Sequence, residues 1–345
     1  MVKLIIQIPC LNEAETLHRV ISDLPVEIPG IDCIETLVID DGSSDGTAAT
    51  ALGLGVHHVV RHRRNRGLAA AFSTGLQTAL AMDADIIVNT DGDHQYPGHY
   101  VTELVQPILR GDADVVIGDR KPEDDERQPR SKRLLYRIGR LVVSWILGER
   151  IPDPVSGFRA YTREAACGVR VIGRYSYTLE TLVQAVEQGL VIKFVPIQTN
   201  ASTRESRLYR THFQFVSRSA VALLRTFFMY HPLQTLLWVS ATLAFIGSIP
   251  IARFVIFYSA GQGQGHLQSL VLGVGCILMS GIVFVAGIIA ELVTVNGMLR
   301  NRISMIAADA RKRVSERRSE LSRFTNAQEI ERIQELQEDK LNGLI

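Results

Sequence analysis

Asp91 and Asp93 stand two residues apart in the run Asp91-Gly92-Asp93-His94-Gln95. On an extended segment this spacing sends both carboxylates to one side, and Gln95 continues the same period. Hard divalent cations such as Mg2+ take oxygen ligands and are often held by one or two carboxylates plus substrate phosphates. The pattern predicts Mg2+ or Mn2+ held by Asp91, Asp93 and Gln95 against a diphosphate. The metal would neutralise charge on a departing nucleotide as a Lewis acid. One Asp-x-Asp loop is weak evidence, since acidic stretches also make turns and helix caps. Two more constellations strengthen it: Pro9-Cys10-Leu11-Asn12-Glu13 and Asp40-Asp41-Gly42-Ser43-Ser44-Asp45-Gly46-Thr47.

Each constellation follows a short apolar, β-branched run, at residues 4–8, 36–39 and 86–89. Further runs of this kind lie at 58–61, 115–118 and 193–196, with helical patterns near 14–23, 47–52, 67–81 and 97–110. Alternation of this kind predicts an α/β domain with a mostly parallel sheet covered on both faces. Ligands bind beyond the carboxyl ends of such strands. Three acidic loops meeting there crowd carboxylates together, which is costly without a cation or hydrogen-bond donors. A dinucleotide fingerprint is absent, because Gly53-x-Gly55 precedes a strand and does not open a helix.

The chain has 345 residues and a net charge of +1, so net charge implies no nucleic-acid partner. Its four cysteines (Cys10, Cys33, Cys167 and Cys276) are scattered without metal or disulfide spacing, which suits a reducing compartment. The opening apolar run is too short for a secretory signal and reads as a strand, so the N-terminal domain is expected to stay cytoplasmic. Composition changes after about residue 230. Runs at 233–252 and 269–290 are each long enough to cross a hydrocarbon core of about 30 Å. The alternative is a pair of buried helices in a soluble domain. No Lys or Arg lies in 259–268, whereas Arg204, Arg207, Arg210, Arg218 and Arg225 precede the first run and Arg300, Arg302, Arg311, Lys312 and Arg313 follow the second. The positive-inside rule then puts both termini in the cytoplasm. Expected boundaries are a catalytic domain at 1–212, a basic juxtamembrane segment at 213–231, two spans at 232–293 (helices about 233–256 and 269–290), and a charge-rich helical or disordered tail at 294–345. Pairing of copies through the spans is compatible with this pattern. Near 133–148, Leu134, Ile138, Leu141 and Trp145 recur at helical spacing among Arg133, Arg137 and Arg140. Such a helix either lies in the headgroup layer or packs its apolar stripe on the sheet.

The three loops together resemble family 2 glycosyltransferases of the GT-A fold, a Rossmann-like, mostly parallel architecture. The nearest branch is similar to the dolichyl-phosphate mannose synthases and polyprenyl-phosphate glucosyltransferases. Gly118-Asp119-Arg120 and Asp153-Pro154-Val155-Ser156-Gly157-Phe158-Arg159 match further segments of that branch, and the motifs cover residues 4 to about 210. The resemblance implies that Pro9, Leu11, Glu13 and Asp41 line the nucleoside, and that Asp91, Gly92, Asp93 and Gln95 meet the metal and diphosphate. It also implies phosphate contacts for Arg120 and Arg207. Thr203-Arg204-Glu205-Ser206-Arg207 is similar to a late basic loop that usually reads Gly-Glu-Ser-Lys. Arg207 stands at the lysine, Arg204 at the glycine, and Ala201 where arginine is frequent.

This implies inverting transfer from a GDP- or UDP-linked sugar to a polyprenyl phosphate, dolichyl or undecaprenyl, at a cytoplasmic membrane face. Asp91, Asp93 and Arg120 are the catalytic candidates. Cations for the lipid phosphate are Arg120, Arg130, Arg133, Arg159 and Arg204, with Ser156 beside them. A phosphate monoester with a second pKa of about 6 is largely dianionic at neutral pH and needs no base. Asp93 or His94 would serve as base only for a hydroxyl acceptor. Transfer to a glycolipid hydroxyl and a non-catalytic membrane scaffold remain the rival readings; intact Asp91 and Asp93 weigh against the second. The Gln-x-x-Arg-Trp signature of processive synthases is absent.

Overall fold

The structure, a computed structural model, describes residues 1–123, 129–171, 177–200, 232–261 and 266–297, together with the single positions 221, 228 and 299. Ala201, Arg204, Arg207, the 213–231 segment apart from two positions, and nearly all of the 294–345 tail lie outside the described residues.

The chain alternates β1 (Lys3–Cys10), α1 (Leu17–Asp23), β2 (Cys33–Asp40), α2 (Thr47–Gly53), β3 (His58–Arg61), α3 (Leu68–Ala81), β4 (Ile86–Asn89), α4 (Tyr100–Leu109) and β5 (Val115–Asp119). Then come α5 (Arg130–Leu147), β6 (Arg159–Thr162), α6 (Arg163–Gly168), α7 (Tyr177–Glu187) and β7 (Ile192–Pro196). The strands form one seven-stranded sheet in the order β3-β2-β1-β4-β6-β5-β7. β1 lies parallel to both β2 and β4, β2 to β3, and β5 to β7, while β6 runs antiparallel between β4 and β5.

β1 explains why the sheet is covered on both sides. Its sequence Lys-Leu-Ile-Ile-Gln-Ile-Pro-Cys is apolar nearly throughout, as a central parallel strand requires. Leu4, Ile6, Ile8 and Cys10 face one way and pack with Leu17, Val101, Leu104 and Val105 of α1 and α4. Ile5 faces the other way with Leu37, Ile39 and Ile87, against Phe72 and Leu76 of α3 and the helices α6 and α7. Burying each such side chain contributes about 1.5–3 kcal/mol. The two layers therefore fix the strand register, since a slip of one residue would exchange the faces.

Six strands and four helices lie where the sequence pattern puts them. β6 is the strand the pattern misses. It is four residues long, reads Arg-Ala-Tyr-Thr, and passes straight into α6, so it shows neither an apolar run nor a turn. It also accounts for the antiparallel pairings within a sheet expected to be mostly parallel. α7 is missed because Thr178, Glu180, Thr181 and Gln184 hide its amphipathic pattern, although residues 177–185 are all buried.

Two further helices, Pro232–Ser259 and Leu267–Gly297, have 28 and 31 residues and are long and apolar enough to cross a membrane. Only 11% and 17% of their most apolar windows are buried within the protein, unlike core helices of a soluble domain. They lie antiparallel. The Ser240 and Ser280 hydroxyls lie 3.0 Å apart and each donates to the other residue's carbonyl, at 3.0 and 2.9 Å. Small residues permit this approach: a Cβ on Gly247 would lie 2.7 Å from Cys276 Cβ and 2.9 Å from Gly273 O. At the open end, Glu291 Oε2 accepts the Leu233 N–H at 3.4 Å.

Candidate active site

The three acidic loops meet beyond the carboxyl ends of β1, β2 and β4. Asn12 and Ser43 latch the first two. The Asn12 N–H donates to Ser43 Oγ (2.9 Å), and Asn12 Oδ1 accepts the Ser44 N–H (2.9 Å). The Glu13 N–H donates to Thr47 Oγ1 (3.0 Å), and the Ala14 N–H to Asp45 Oδ2 (3.0 Å). Thr16 connects this pair to the metal loop, its hydroxyl lying 3.1 Å from Glu13 Oε2 and 2.8 Å from Gly92 O. Glu13, Asp40 and Asp41 are buried, as is Pro9 within β1, while Leu11 is half-buried.

In the third loop the Gln95 amide donates to Asp93 Oδ2 at 2.9 Å and its backbone N–H to Oδ1 at 3.2 Å. Asp91 is half-buried by surface area but enclosed by protein on most sides. Burial pushes its pKa up to about 7; Asp93 and Glu13 push the same way, and only Arg120 opposes them. Carboxylate crowding of this kind is the electrostatic condition a divalent cation relieves. Gly157 leaves the necessary room: a Cβ there would sit 3.3 and 3.4 Å from the Asp91 oxygens and 2.7 Å from the Tyr177 hydroxyl. Among the described residues no group of three His, Cys, Asp or Glu side chains gathers as a complete metal cage. The donor set fits a cation held by two carboxylates with substrate oxygens completing its shell, as Mg2+ commonly is.

Under this loop runs a buried polar chain. Gln7 Nε2 donates to Asn89 Oδ1 (2.8 Å), and Asn89 Nδ2 donates to Gly157 O (2.8 Å) and the Tyr177 hydroxyl (3.0 Å). The register of β1 on β4 pairs Gln7 with Asn89 directly. The sequence carried a signal for both, since each is a lone amide in an otherwise apolar strand.

Arg120, just after β5, is gripped by Asp153: Nε lies 2.7 Å from Oδ2 and Nη2 3.0 Å from Oδ1. Its Nη1 reaches the Tyr96 hydroxyl at 3.4 Å, and Tyr96 stacks on Phe158 with ring centroids 5.0 Å apart. Arg120 is close enough to oppose the upward shift of Asp91. Burial pushes the Tyr96 hydroxyl up to about 12 against the opposing charge of Arg120, with Asp91 and Asp153 adding to the rise, so it stays protonated. Neither Tyr96 nor the partnership of Asp153 with Arg120 was visible as a role in the sequence, although Asp153 heads a motif.

Arg159 does not occupy the acceptor position expected of it. It is fully buried, and its guanidinium donates to Ser156 O (2.8 Å), Thr178 O (2.8 Å), Thr181 Oγ1 (2.8 Å) and Pro154 O (3.1 Å). Those bonds tie the 154–156 turn to α7 and leave no face for a lipid phosphate. Ser156 is enclosed beside it, its hydroxyl without a hydrogen-bond partner among the described residues. Arg130 is exposed and Arg133 half-buried at the start of α5. His94 adopts a left-handed conformation (φ 58), with Nε2 3.4 Å from Asp23 Oδ2 and its carbonyl accepting the Asn200 amide at 2.9 Å. These contacts tie the metal loop to α1 and to the segment after β7.

A Rossmann-like mixed sheet with acidic loops at the carboxyl ends of its parallel strands, one of them Asp-x-Asp, defines a GT-A glycosyltransferase fold. The chain belongs to glycosyl transferase family 2, whose profile matches residues 5–168. It is 34% identical over 206 residues to an uncharacterized protein of Methanocaldococcus jannaschii, covering 57% of this chain and 81% of that one. It is 28% identical over 217 residues to a UDP-N-acetylglucosamine–dolichyl-phosphate N-acetylglucosaminyltransferase of Methanococcus voltae, covering 56% and 83%. Among solved structures, glucosyl-3-phosphoglycerate synthase of Mycobacterium tuberculosis, crystallised with Mn2+, UDP and glucosyl-3-phosphoglycerate, superposes with a TM-score of 0.52 at 22% identity. That match covers 66% of this chain and 79% of the other and concerns the fold. The protein is therefore a glycosyltransferase, of the branch that the Asp-x-Asp and Ser-Gly-Phe-Arg motifs resemble.

Proposed function

We propose that the protein transfers a sugar, with inversion, from a GDP- or UDP-linked donor to a polyprenyl phosphate at the cytoplasmic face of a membrane, using Mg2+ or Mn2+. One observation carries this reading. A rim of crowded carboxylates beside the held cation Arg120 belongs to the same chain as two long apolar helices with lipid-like exposure. The first feature suits a diphosphate and the second a lipid substrate.

The reaction forms a bond from a phosphate oxygen to the sugar's anomeric carbon and breaks the bond from that carbon to the donor diphosphate. A divalent cation at Asp91 and Asp93 would supply charge neutralisation on the leaving diphosphate. Arg120, oriented by Asp153, binds phosphate oxygens in a fixed direction, and such preorganised charge lowers the barrier without reorganisation. The nucleophile is already an anion, so no side chain must remove a proton. Glu13 and Asp41 hold the nucleoside end, through loops latched by Asn12, Ser43 and Thr47.

α5 supports the membrane setting. Val143 and Leu147 face the core, while Leu134, Ile138, Leu141, Val142 and Trp145 form an exposed stripe. With Arg133 and Arg137 alongside, this is the make-up of a helix that lies in a headgroup layer. Residues 1–212 form the catalytic domain in this reading, with 232–293 anchoring it.

The test is a screen of radiolabelled nucleotide sugars against polyprenyl phosphate with purified protein, with and without EDTA. Formation of a lipid-linked phosphosugar that needs divalent metal is expected. Transfer only to glycolipid hydroxyls would replace the acceptor, and no turnover of any donor would favour a scaffold.

A further inference from the structure

His62 follows the last residue of β3 and belongs to none of the motifs above. The parallel register pairs Asp40 with Arg61, so the next residues on the two strands, Asp41 and His62, emerge side by side at the rim. His62 is 7% exposed, and its backbone N–H donates to Asp40 O at 2.8 Å. Its Nδ1 lies 2.7 Å from Asp41 Oδ1, and its Nε2 3.0 Å from the Thr74 hydroxyl on α3. A carboxylate only accepts, so the ring carries a proton on Nδ1 and donates it to Asp41, while Nε2 shares a hydrogen bond with the Thr74 hydroxyl. With both nitrogens engaged in the interior, the ring is not placed to exchange protons with a substrate.

Asp41 Oδ1 also accepts the Arg66 N–H at 2.9 Å, and Oδ2 accepts the Gly67 N–H at 2.8 Å. Three of its roughly four acceptor positions are thus occupied by the protein. Among the described residues no donor takes the remaining one, on Oδ2. A carboxylate held by three internal donors cannot turn to meet a ligand, so its direction is set before the nucleotide arrives. The same bonds pin the 64–67 turn against the β2–α2 loop. Gly42, at φ 76, meets that turn so closely that a Cβ would lie 2.6 Å from the Arg64 carbonyl carbon.

We propose that His62 is a positioning residue for the donor nucleotide, acting through Asp41: it aims the open position of Oδ2 and holds the 64–67 turn as a wall of the nucleoside site. This rests on the donor reading given under Proposed function. His62 touches no reacting atom, so its loss falls on nucleotide affinity.

Two substitutions separate positioning from packing. An asparagine amide can take the place of Nδ1 and still donate to Asp41. A longer glutamine amide can take the place of Nε2 and keep Thr74 while releasing Asp41. Affinity for UDP and for GDP, each with Mn2+, is measured by calorimetric titration on the full chain in detergent, with thermal unfolding alongside. His62→Gln and His62→Ala should weaken the tighter-bound nucleotide about tenfold or more, as loss of a hydrogen bond to a charged group does, and His62→Asn should stay within about threefold of wild type. Equal affinity in folded His62→Gln and wild type overturns the proposal. So does equal weakening in the Asn and Gln variants. If wild type binds neither UDP nor GDP, the donor reading itself has failed.

Discussion

Arg120 and Asp153 form a two-pronged ion pair, at 2.7 and 3.0 Å, in which the carboxylate is fully buried and the guanidinium is 21% exposed. Asp153 also accepts the backbone N–H of Arg120 and that of Val155, each at 3.3 Å. The carboxylate thus fixes both the side chain and the turn that carries it. Removing one partner of a buried pair leaves the other charge uncompensated, at about 3–5 kcal/mol. Asp153→Ala should therefore lower the thermal midpoint clearly and abolish turnover. Asp153→Asn should recover part of the stability while leaving turnover impaired, because a neutral amide cannot grip both guanidinium nitrogens as acceptor. A wild-type midpoint and rate in Asp153→Ala would mean that Arg120 acts without being oriented.

Arg159 separates a motif from its role. Its sequence position beside Ser156 and Gly157 suggested a phosphate contact, yet all its bonds go to the protein. Arg159→Lys keeps the charge and loses the planar fork. With hydrogen bonds to a charged group at about 1.5–3 kcal/mol each, the loss should reach about 3 kcal/mol or more. The folded fraction should keep its KM for lipid phosphate. A raised acceptor KM at an unchanged midpoint would restore the acceptor role.

What the sequence revealed and what it hid divide along physical lines. The loops at the ends of β1, β2 and β4 were legible because backbone periodicity locates strand ends, and strand ends are where such folds bind ligands. Gln7 and Asn89 left a signal as amides in apolar strands, but their role follows only from the register of β1 on β4. The partners of Arg120, Arg159 and Asp41 were not, since Asp153, Thr178 and His62 meet them only through sheet register and helix packing. β6 was hidden by its brevity and by being stapled to α6.

The metal assignment makes a mutational prediction and a pH prediction. Asp93→Ala should cut turnover about 10²–10³-fold, since a metal supplies several kcal/mol of charge stabilisation at 1.36 kcal/mol per tenfold. Unchanged turnover would end the assignment. In the chain stripped with EDTA, Asp91 has a folded pKa of about 7 against an ordinary carboxylate value near 4. Between those values the folded state binds more protons than the unfolded, so stability contributed by this group falls as pH rises from about 4 to about 7 and levels off above that. Asp91→Asn removes that slope. It should be more stable than wild type at pH 8, and the difference should shrink as pH falls and vanish only below about pH 4. Parallel pH profiles of the two midpoints would show that Asp91 is ionised throughout.

Trp145 offers a direct reading of where α5 lies. The chain has two tryptophans, Trp145 and Trp238, and the second sits in the helix Pro232–Ser259. In Trp238→Phe all tryptophan emission comes from Trp145, which is 83% exposed and closes the stripe of Leu134, Ile138 and Leu141. If that stripe rests in the acyl boundary about 5–10 Å deep, brominated lipids should quench it strongly and aqueous acrylamide weakly. The stripe positions recur every three or four residues, so a single helix rotation either buries all of them in lipid or none. Emission that is quenched by acrylamide as freely as in detergent-free solution, and untouched by bromine, would place α5 in water and remove the membrane surface from the catalytic domain's side of the reaction.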